Sequence, residues 1–145
     1  MRQILFRGKR IENGEWYEGS LHLEYEGVTN TFQGAYLLGK YSPAYKNAVH
    51  GYIEVDPETV SEFTGMVDST GQKIFEGDVC KFRDWDNGDM CYVGQIKFEC
   101  CQYAITGGPN KECPSNFYFP LSRITPENIE IVGNIYDTKK GEELL

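Results

Sequence analysis

The sequence contains little of what helical and membrane proteins require. Ala occurs only 4 times and Leu only 8 times in 145 residues, whereas a helical protein relies on both. The longest apolar run has only a few residues, far short of the roughly 20 that a membrane-spanning helix needs. The first residues carry charges and have no signal-peptide core. These absences exclude a membrane-spanning helix and disfavour a mainly helical fold, and they predict a protein without a membrane partner.

The cysteines also lack the pattern of a disulfide framework or a metal site. They are odd in number and two are adjacent, which is typical of reduced thiols in a cytoplasm. No C-x₂-C pair occurs, and neither His22 nor His50 lies at the spacing from a cysteine that zinc-binding motifs require. Phosphate-binding motifs rich in glycine are absent as well. We therefore expect a cytoplasmic protein with no metal and no cofactor. The five thiols are Cys80, Cys91, Cys100, Cys101 and Cys113.

The net charge of −8, with a pI near 4.8, disfavours nucleic acid as a partner, because phosphate backbones are bound by neutralising cations. One local exception exists near the N-terminus. Arg2, Arg7, Lys9 and Arg10 cluster in sequence beside Trp16, and basic β-hairpins with aromatic residues can bind single-stranded nucleic acid. We favour the simpler interpretation, in which this is a solvated hairpin face with arginine stems lying over apolar neighbours.

The residues that are abundant predict a β protein. Val, Ile, Thr, Tyr, Phe and Trp add up to 46, and branched or aromatic side chains suit a pleated surface. Turn signals recur every 8–12 residues, most clearly at Asn13-Gly14, Asp68 to Gly71, Glu76 to Asp78 and Asn87-Gly88. This spacing is typical of a small barrel or sandwich of short antiparallel strands. Of these we predict one all-β domain over residues 1–145 that forms a small barrel or pseudo-barrel. The predicted strands are 3–9, 15–23, 52–55, 73–75, 79–82, 90–98 and 129–136.

Two segments break this pattern with helix-start signals. Asp56 is suited to an N-cap and Pro57 to the first helical position, which predicts one or two helical turns over residues 57–64. A strand over 59–64 is the alternative. Thr125-Pro126-Glu127 has the same form and predicts a single turn. Residues 28–51 show no clean period and are interpreted as strand plus loop, and residues 137–145 as a frayed tail.

The candidate metal-binding and catalytic motifs are better explained as turns when they are compared with known templates. Residues 84–89 resemble a calcium loop, but an EF-hand needs Gly at position six and Glu at position twelve, where this chain has Asp89 and Gln95. Glu76 and Asp78 are a carboxylate pair of the kind used in acid–base chemistry. Asp78 more simply accepts a hydrogen bond from the backbone of its own turn. No nucleophile motif is present, so we predict no catalytic residue and no enzyme.

Three stretches carry a family resemblance: residues 6–10 with 14–19, residues 55–82, and residues 132–137. Together they resemble the YopX family of prophage and bacteriophage proteins. The resemblance implies a mainly β, barrel-like fold and a cytoplasmic, phage-encoded homo-oligomer, and it implies no chemistry. Because exposed Tyr and Trp often anchor interfaces, the 10 Tyr and 2 Trp support the same hypothesis. The leading hypothesis is a non-enzymatic accessory or interaction protein that forms a homo-oligomer and has a host or phage protein as a further partner.

Overall fold

The computed structural model of this protein describes residues 1–39, 51–109 and 113–137. Within these residues there are eleven β-strands and four short 3₁₀ helices, and no α-helix. The prediction of a mainly β, antiparallel fold is therefore confirmed. Residue contacts divide the chain into two compact units, Met1–Phe63 and Thr64–Leu145, which are described separately. The single domain over residues 1–145 stays a prediction.

The strands are short, as the spacing of the turn signals predicts. In chain order they are β1 (Phe6–Lys9), β2 (Trp16–Tyr25), β3 (Phe32–Leu38), β4 (Tyr52–Val55), β5 (Ser61–Val67), β6 (Lys73–Phe75), β7 (Asp78–Asp84), β8 (Met90–Glu99), β9 (Gln102–Gly107), β10 (Phe117–Pro120) and β11 (Ile129–Asn134). The 3₁₀ helices are Pro57–Thr59, Trp85–Asn87, Leu121–Arg123 and Pro126–Asn128.

The first unit is a sheet in the order β4-β3-β2-β1, with the beginning of β5 beside β1. The β1–β2 hairpin closes where the sequence predicts. Gly14 has a φ of +70° and donates its N–H to the carbonyl of Arg10 at 2.8 Å, while Arg10 donates to the carbonyl of Glu15 at 2.9 Å. The loop therefore covers residues 11–14, and within the Asn13-Gly14 signal only Gly14 adopts the positive φ that glycine favours.

Strand β2 changes partner halfway along its length. Its first residues pair with β1, up to Phe6 opposite Gly19, and the rest pairs with β3, from Ser20 opposite Leu38 onward. A Cβ atom at Gly19 would collide with the carbonyl of Leu38, so only glycine fits at the change of partner. The buried core of this unit is Ala35, Leu37 and Val55, packed against Phe6, Tyr17, Leu21 and Val60.

The sheets are not closed, and the predicted barrel is not confirmed. In the first unit an isolated bridge joins Arg10 to Val55, and Asp56 donates its N–H to the carbonyl of Lys9 at 2.7 Å. These contacts tie the end of β1 to β4 without extending into a ladder. In the second unit β6 pairs with β5, and strands β7 to β11 form a separate sheet in the order β10-β9-β8-β7-β11, which leaves β10 and β11 as the edges of that sheet.

The second unit is built on an aromatic core beneath this five-stranded sheet. Phe82 stacks on Tyr92 with ring centroids 5.1 Å apart, and the ring of Phe119 meets Phe82 edge-on at 5.0 Å. Such offset and edge-to-face pairs add to the stabilisation from burial alone. The remaining buried members of the core are Ile74, Cys80, Ile96, Ile105, Cys113, Leu121 and Ile129.

Two predicted turns of the second unit are each organised by a buried aspartate. Oδ1 of Asp68 accepts hydrogen bonds from the N–H and hydroxyl of Thr70 and the N–H of Gln72, at 2.9, 2.7 and 3.0 Å. Oδ2 of Asp68 accepts from the N–H of Ile131 at 3.1 Å. Burial opposes the charged form, but these bonds outweigh it and hold the pKa of Asp68 below its ordinary value. The predicted turn from Asp68 to Gly71 is confirmed.

Asp78 holds the next turn. Its side chain is buried and accepts from the N–H of Phe75 at 2.8 Å. It also accepts from the side-chain amide of Asn134 at 2.9 Å. The first of these bonds is the local backbone contact that the sequence predicts for Asp78. Gly77, at the tip, has a φ of +85°.

The helix-start signals give 3₁₀ helices shorter than the longest prediction. Asp56 caps the first one, accepting from the N–H of Glu58 at 3.0 Å. It ends at Thr59 because β5 begins at Ser61, so the alternative strand occupies most of its predicted range. The helix Pro126–Asn128 confirms the second turn.

The Asn87-Gly88 turn needs correction. Asp84 pairs with Met90 across the hairpin, and the 3₁₀ helix Trp85–Asn87 lies between them. The loop therefore has five residues instead of two. It starts early because the carboxylate of Asp84 accepts from the N–H of Asp86 at 3.2 Å, which favours a capped turn over a two-residue hairpin. Of the predicted 28–51 segment, β3 is seen and residues 40–50 lie outside the described part, as do 138–145 of the predicted tail.

Candidate functional site

The outer face of the β1–β2 hairpin gathers part of the basic cluster that the sequence predicts. Arg7 and Lys9 lie on the same face of β1, and Trp16 pairs with Lys9 across the hairpin. The Arg7 guanidinium carbon is 4.5 Å and the Lys9 ammonium 5.4 Å from the centre of the Trp16 ring. At these distances cation–π attraction holds both cations over the ring.

The other two predicted cations form ion pairs. Arg10 is largely covered, its side chain 11% exposed, and it donates to the carboxylate of Glu12 at 2.8 Å. Arg2 donates to Glu62 at 3.1 Å. The face therefore consists of Arg7, Lys9 and Trp16 instead of five residues, and its affinity for nucleic acid stays a prediction.

The end of the β2–β3 hairpin carries an apolar surface that sequence reasoning missed. Leu23, Tyr25, Val28 and Phe32, here called the tip surface, are 42%, 49%, 93% and 42% exposed. Tyr25 pairs with Phe32 across the strands, and their rings meet edge-on at 5.6 Å. Side chains alternate along a strand, so Leu23 and Tyr25 continue the core-facing row of β2 beyond the core.

The opposite face of the same hairpin is polar. His22 contacts the rings of Tyr36 and Tyr52, with centroids 6.4 and 5.6 Å apart. Desolvation, a hydrogen bond with Glu24 and the nearby carboxylates of Glu24 and Glu54 raise the pKa of Tyr36 above 10.0. The two faces of β2 thus differ sharply in charge.

The second unit has a cleft of about 400 Å³, here called the Trp85 cleft. Its aromatic wall is Trp85, which is 58% exposed. The indole N–H donates to the side-chain oxygen of Asn128 at 3.0 Å, and the amide of Asn128 donates to the hydroxyl of Thr125 at 2.9 Å. This chain of bonds fixes the indole ring while much of its surface stays open. Phe119 and Ile124 add apolar lining.

Charged side chains surround the Trp85 ring. The guanidinium of Arg83 is 5.7 Å from the ring centre and 3.8 Å from the carboxylate of Asp89. Arg123 is exposed and lines the same cleft. Two carboxylates, the half-buried Asp84 and the exposed Asp86, also line it. The cleft therefore combines a flat aromatic surface with two guanidinium groups, that of Arg83 beside Asp89 and that of Arg123 on another segment.

The five cysteines, all within the described residues, form no disulfide. Cys80 and Cys113 are buried and Cys91 is half-buried, whereas Cys100 and Cys101 are exposed at the β8–β9 turn. Within the described residues, no three His, Cys, Asp or Glu side chains lie close enough to hold a metal ion. His50 lies outside that part of the chain. Residues 84–89, which only resemble a calcium loop in sequence, form the capped turn described above, and Asp78 is engaged in its own turn.

The sequence offered a weak signal for the tip surface and none for the cleft. Tyr25 and Phe32 face each other across the hairpin, but Gln33 is an extra residue in β3, so the alternation of β3 is broken just after Phe32. The residues of the cleft come from three separate segments, so no local motif can mark them.

These features define a mainly antiparallel β protein of two compact units, with an apolar hairpin end and an aromatic cleft as its distinctive surfaces. No helix among the described residues is long and apolar enough to cross a membrane. A search of curated proteins found no match. The family model described as YopX protein matches residues 5–140, nearly the whole chain, and the chain therefore belongs to the YopX family. The resemblance predicted from residues 6–19, 55–82 and 132–137 is confirmed.

Proposed function

We propose that this chain is a phage- or prophage-encoded accessory protein that acts in the cytoplasm, without catalysis, by binding other proteins. Its first partner is a second copy of itself, and the tip surface is the interface. The observation that carries the proposal is the exposure of Leu23, Tyr25, Val28 and Phe32 at one hairpin end.

Exposed apolar groups of this kind need a reason. Each is unfavourable in water, and a continuous exposed patch marks interaction surfaces on soluble proteins. The ladder between β2 and β3 already holds Tyr25 against Phe32. Because these rings are ordered before binding, association loses little side-chain freedom. Aromatic residues in such positions commonly supply most of the binding energy.

The distribution of charge limits where a second copy of the chain can bind. A two-fold axis places identical groups opposite each other, and two chains of net charge −8 repel each other. A self-complementary interface is therefore expected where charge is absent. The core-facing row of β2, which includes Leu23 and Tyr25, carries no carboxylate, whereas the opposite row carries Glu18 and Glu24.

The absence of catalysis is proposed from the use of the buried carboxylates. Asp68 and Asp78 are the buried acidic side chains of the described residues. Both accept hydrogen bonds from backbone N–H groups of their turns, which supports a structural role for each.

The test is the molar mass in solution of the full chain and two variants, by size exclusion with light scattering at about 50 µM, a concentration that detects micromolar association. Tyr25→Thr with Phe32→Thr removes the aromatic pair and keeps strand-forming residues. His22→Thr with Glu24→Thr changes the opposite face of the same strand and is the matched control.

We expect the unchanged chain and the control to be dimers or larger, and the Tyr25/Phe32 variant to be monomeric. A monomeric unchanged chain would refute self-association. A Tyr25/Phe32 variant that stays oligomeric would place the interface elsewhere and refute the role of the tip surface. Circular dichroism on each variant separates loss of the interface from loss of the fold.

A second candidate function is single-stranded nucleic-acid binding through the β1–β2 hairpin, favoured by the gathering of Arg7, Lys9 and Trp16 on one face. Because Arg7 already lies 4.5 Å over the Trp16 ring, a base must use the other side of the ring or displace it. An electrophoretic shift at low salt tests this, repeated on Arg7→Ala with Lys9→Ala, the two cations that lie over the Trp16 ring. No shift at low salt, or an equal shift with the variant, would refute this candidate.

A further inference from the structure

We propose that the Trp85 cleft binds a nucleotide unit, with the base stacked on the indole of Trp85 and the phosphate held by Arg123. This site is separate from the tip surface and from the β1–β2 hairpin. It requires neither self-association nor the basic face of that hairpin. The shared chemistry of a free nucleotide and of one unit in a single strand is a flat ring joined to a phosphate.

The first step is the state of Trp85. An indole that is 58% exposed is normally free to turn, but its N–H is bound to Asn128 at 3.0 Å. Asn128 is itself held, because its amide donates to the hydroxyl of Thr125 at 2.9 Å. The ring is thus fixed through its edge. Because the guanidinium of Arg83 lies over the ring, 5.7 Å from its centre, a base must stack on the other face of the indole or displace Arg83. A rigid, accessible ring is what base stacking requires, and every base has a flat surface to offer.

The second step is the shape of the cleft. Its volume of about 400 Å³ is at the lower end of the range for small-molecule sites, roughly 300–1,000 Å³. Phe119 and Ile124 provide an apolar lining beside the ring. A single base with its sugar and phosphate matches this size, the apolar lining and the guanidinium groups together. A long apolar side chain would fill the cleft but would not bind the guanidinium groups.

The third step is charge. Arg83 and Arg123 both line the cleft, but their surroundings differ. Arg83 lies 3.8 Å from Asp89 and next to Asp84 in the chain. Arg123 lies on a different segment, at the end of the 3₁₀ helix Leu121–Arg123. A guanidinium binds phosphate through two parallel N–H groups. Because Asp89 already lies beside Arg83, we assign the phosphate to Arg123. Two carboxylates of the cleft, Asp84 and Asp86, oppose a phosphate there. Asp84 accepts a hydrogen bond from the N–H of Asp86 at 3.2 Å, so Asp86 is the one chosen for substitution.

The experiment uses fluorescence of the full chain carrying Trp16→Phe, which leaves Trp85 as the single tryptophan of the two. Adenosine monophosphate, adenosine and an oligothymidylate of about 20 nucleotides are titrated separately. Binding next to Trp85 is expected to quench its emission in a saturable way. Saturation by the monophosphate with a Kd below about 1 mM supports a free nucleotide as the ligand. Saturation by the oligonucleotide alone supports a single strand as its source.

Variants separate stacking from charge. Arg123→Ala is expected to weaken binding of the phosphate-bearing ligand by roughly tenfold and to leave adenosine unchanged, because a hydrogen bond to a charged group is lost. Asp86→Asn is expected to strengthen the same ligand by roughly twofold or more and again to leave adenosine unchanged. A side chain with only a structural role would not produce this gain. Arg2→Ala, which removes one exposed cation elsewhere, is the matched control and should change binding less than about twofold.

Three results would overturn the proposal. The first is no saturable quenching by either the monophosphate or the oligonucleotide. The second is an equal loss in Arg2→Ala and Arg123→Ala, which would mean general electrostatics. The third is retention of binding, measured by calorimetry with Trp16 in place, when Trp85 is replaced by Leu. Thermal melts of Arg123→Ala and Trp85→Leu show whether each variant is folded, and Asp86→Asn keeps the proposal testable because its expected effect is a gain.

Discussion

Replacement of Asp68 by Ala is expected to lower the free energy of unfolding by about 3 kcal/mol. The carboxylate accepts four hydrogen bonds, and its residue is 3% exposed. Three of the bonds organise the turn that follows β5, and the fourth binds the N–H of Ile131 in β11. One side chain therefore joins two segments that are distant in sequence.

The magnitude follows from what each donor meets after the substitution. The Thr70 and Gln72 residues are exposed, so water replaces the aspartate and each bond contributes about 0.5–1 kcal/mol. The N–H of Ile131 is half-buried in the sheet edge. A buried donor without an acceptor costs about 1–3 kcal/mol.

The assay is urea unfolding of the full chain, with Glu130→Ala as the control because Glu130 is an exposed neighbour on β11. The control is expected to change the free energy of unfolding by less than about 0.5 kcal/mol. A loss below about 1 kcal/mol in Asp68→Ala would refute the argument, because it would mean that the four bonds are replaced without penalty.

The dependence on pH provides an independent readout. The pKa of folded Asp68 lies below its ordinary value of 3.8, so its charged form is stabilised by folding. That contribution is fully present above the unfolded pKa and is lost as the pH falls through the lowered folded value. The stability difference between the unchanged chain and Asp68→Asn should therefore be constant above about pH 5 and shrink below about pH 4. A difference that grows on acidification would contradict the sign.

Three further predictions concern other contacts. Asp78→Ala and Asn134→Ala should be coupled by about 1 kcal/mol or more in a double-mutant cycle of unfolding, because each is the other's buried partner. Cys100→Asn with Cys101→Gly should raise the free energy of unfolding by about 1 kcal/mol, since φ values of 51° and 62° favour Asn-Gly over any Cys pair. Gly19→Ala should lower the melting temperature strongly, with a loss of about 2 kcal/mol or more, because its Cβ would meet the backbone of the neighbouring strand.

Each of these has an outcome that counts against it. Additive effects at Asp78 and Asn134 would mean that their hydrogen bond contributes nothing. A lower stability of the Cys100/Cys101 variant would mean that the thiols themselves stabilise the turn. For Gly19, the control is Gly27→Ala, whose Cβ meets nothing within 4 Å, and an equal loss in both would show that glycine flexibility and not collision is responsible.

Local chemistry explains which parts of the structure the sequence predicts. The turn at Asn13-Gly14 and the backbone bond of Asp78 depend on neighbours within a few residues. The position of the turn and the bond are confirmed, although the turn is a four-residue loop over residues 11–14. Asn87-Gly88 looks equally local, yet the carboxylate of Asp84 starts the turn earlier and lengthens the loop. A strong turn dipeptide thus fails when a nearby cap competes with it.

Contacts between distant segments account for the rest. Asp68 is recognisable as a turn residue, but its bond to Ile131 spans 63 residues and has no trace in either segment. The Trp85 cleft is similar, because Trp85 and Asn128 are 43 residues apart. Trp85 looks like the tip of a hairpin when only its neighbours are considered. Trp85 becomes a wall of the cleft because Asn128 binds its indole N–H, and a sequence pattern around Trp85 cannot predict that distant contact.

The two buried aspartates also have a consequence for folding during synthesis, because the N-terminus of the chain leaves the ribosome first. The strand partners of β1 to β4 all lie within residues 1–63, so that unit has its ladder partners early. Asp68 and Asp78 instead wait for Ile131 and Asn134, which emerge near the end of translation. Until β11 has been synthesised, the carboxylates of Asp68 and Asp78 each lack one hydrogen-bond donor. Pairing of β11 with β7 is therefore expected to be the last step in folding of the second unit. Force measurements on arrested nascent chains should show a late folding event only after residue 134 has left the ribosome, and Asp78→Ala should weaken it.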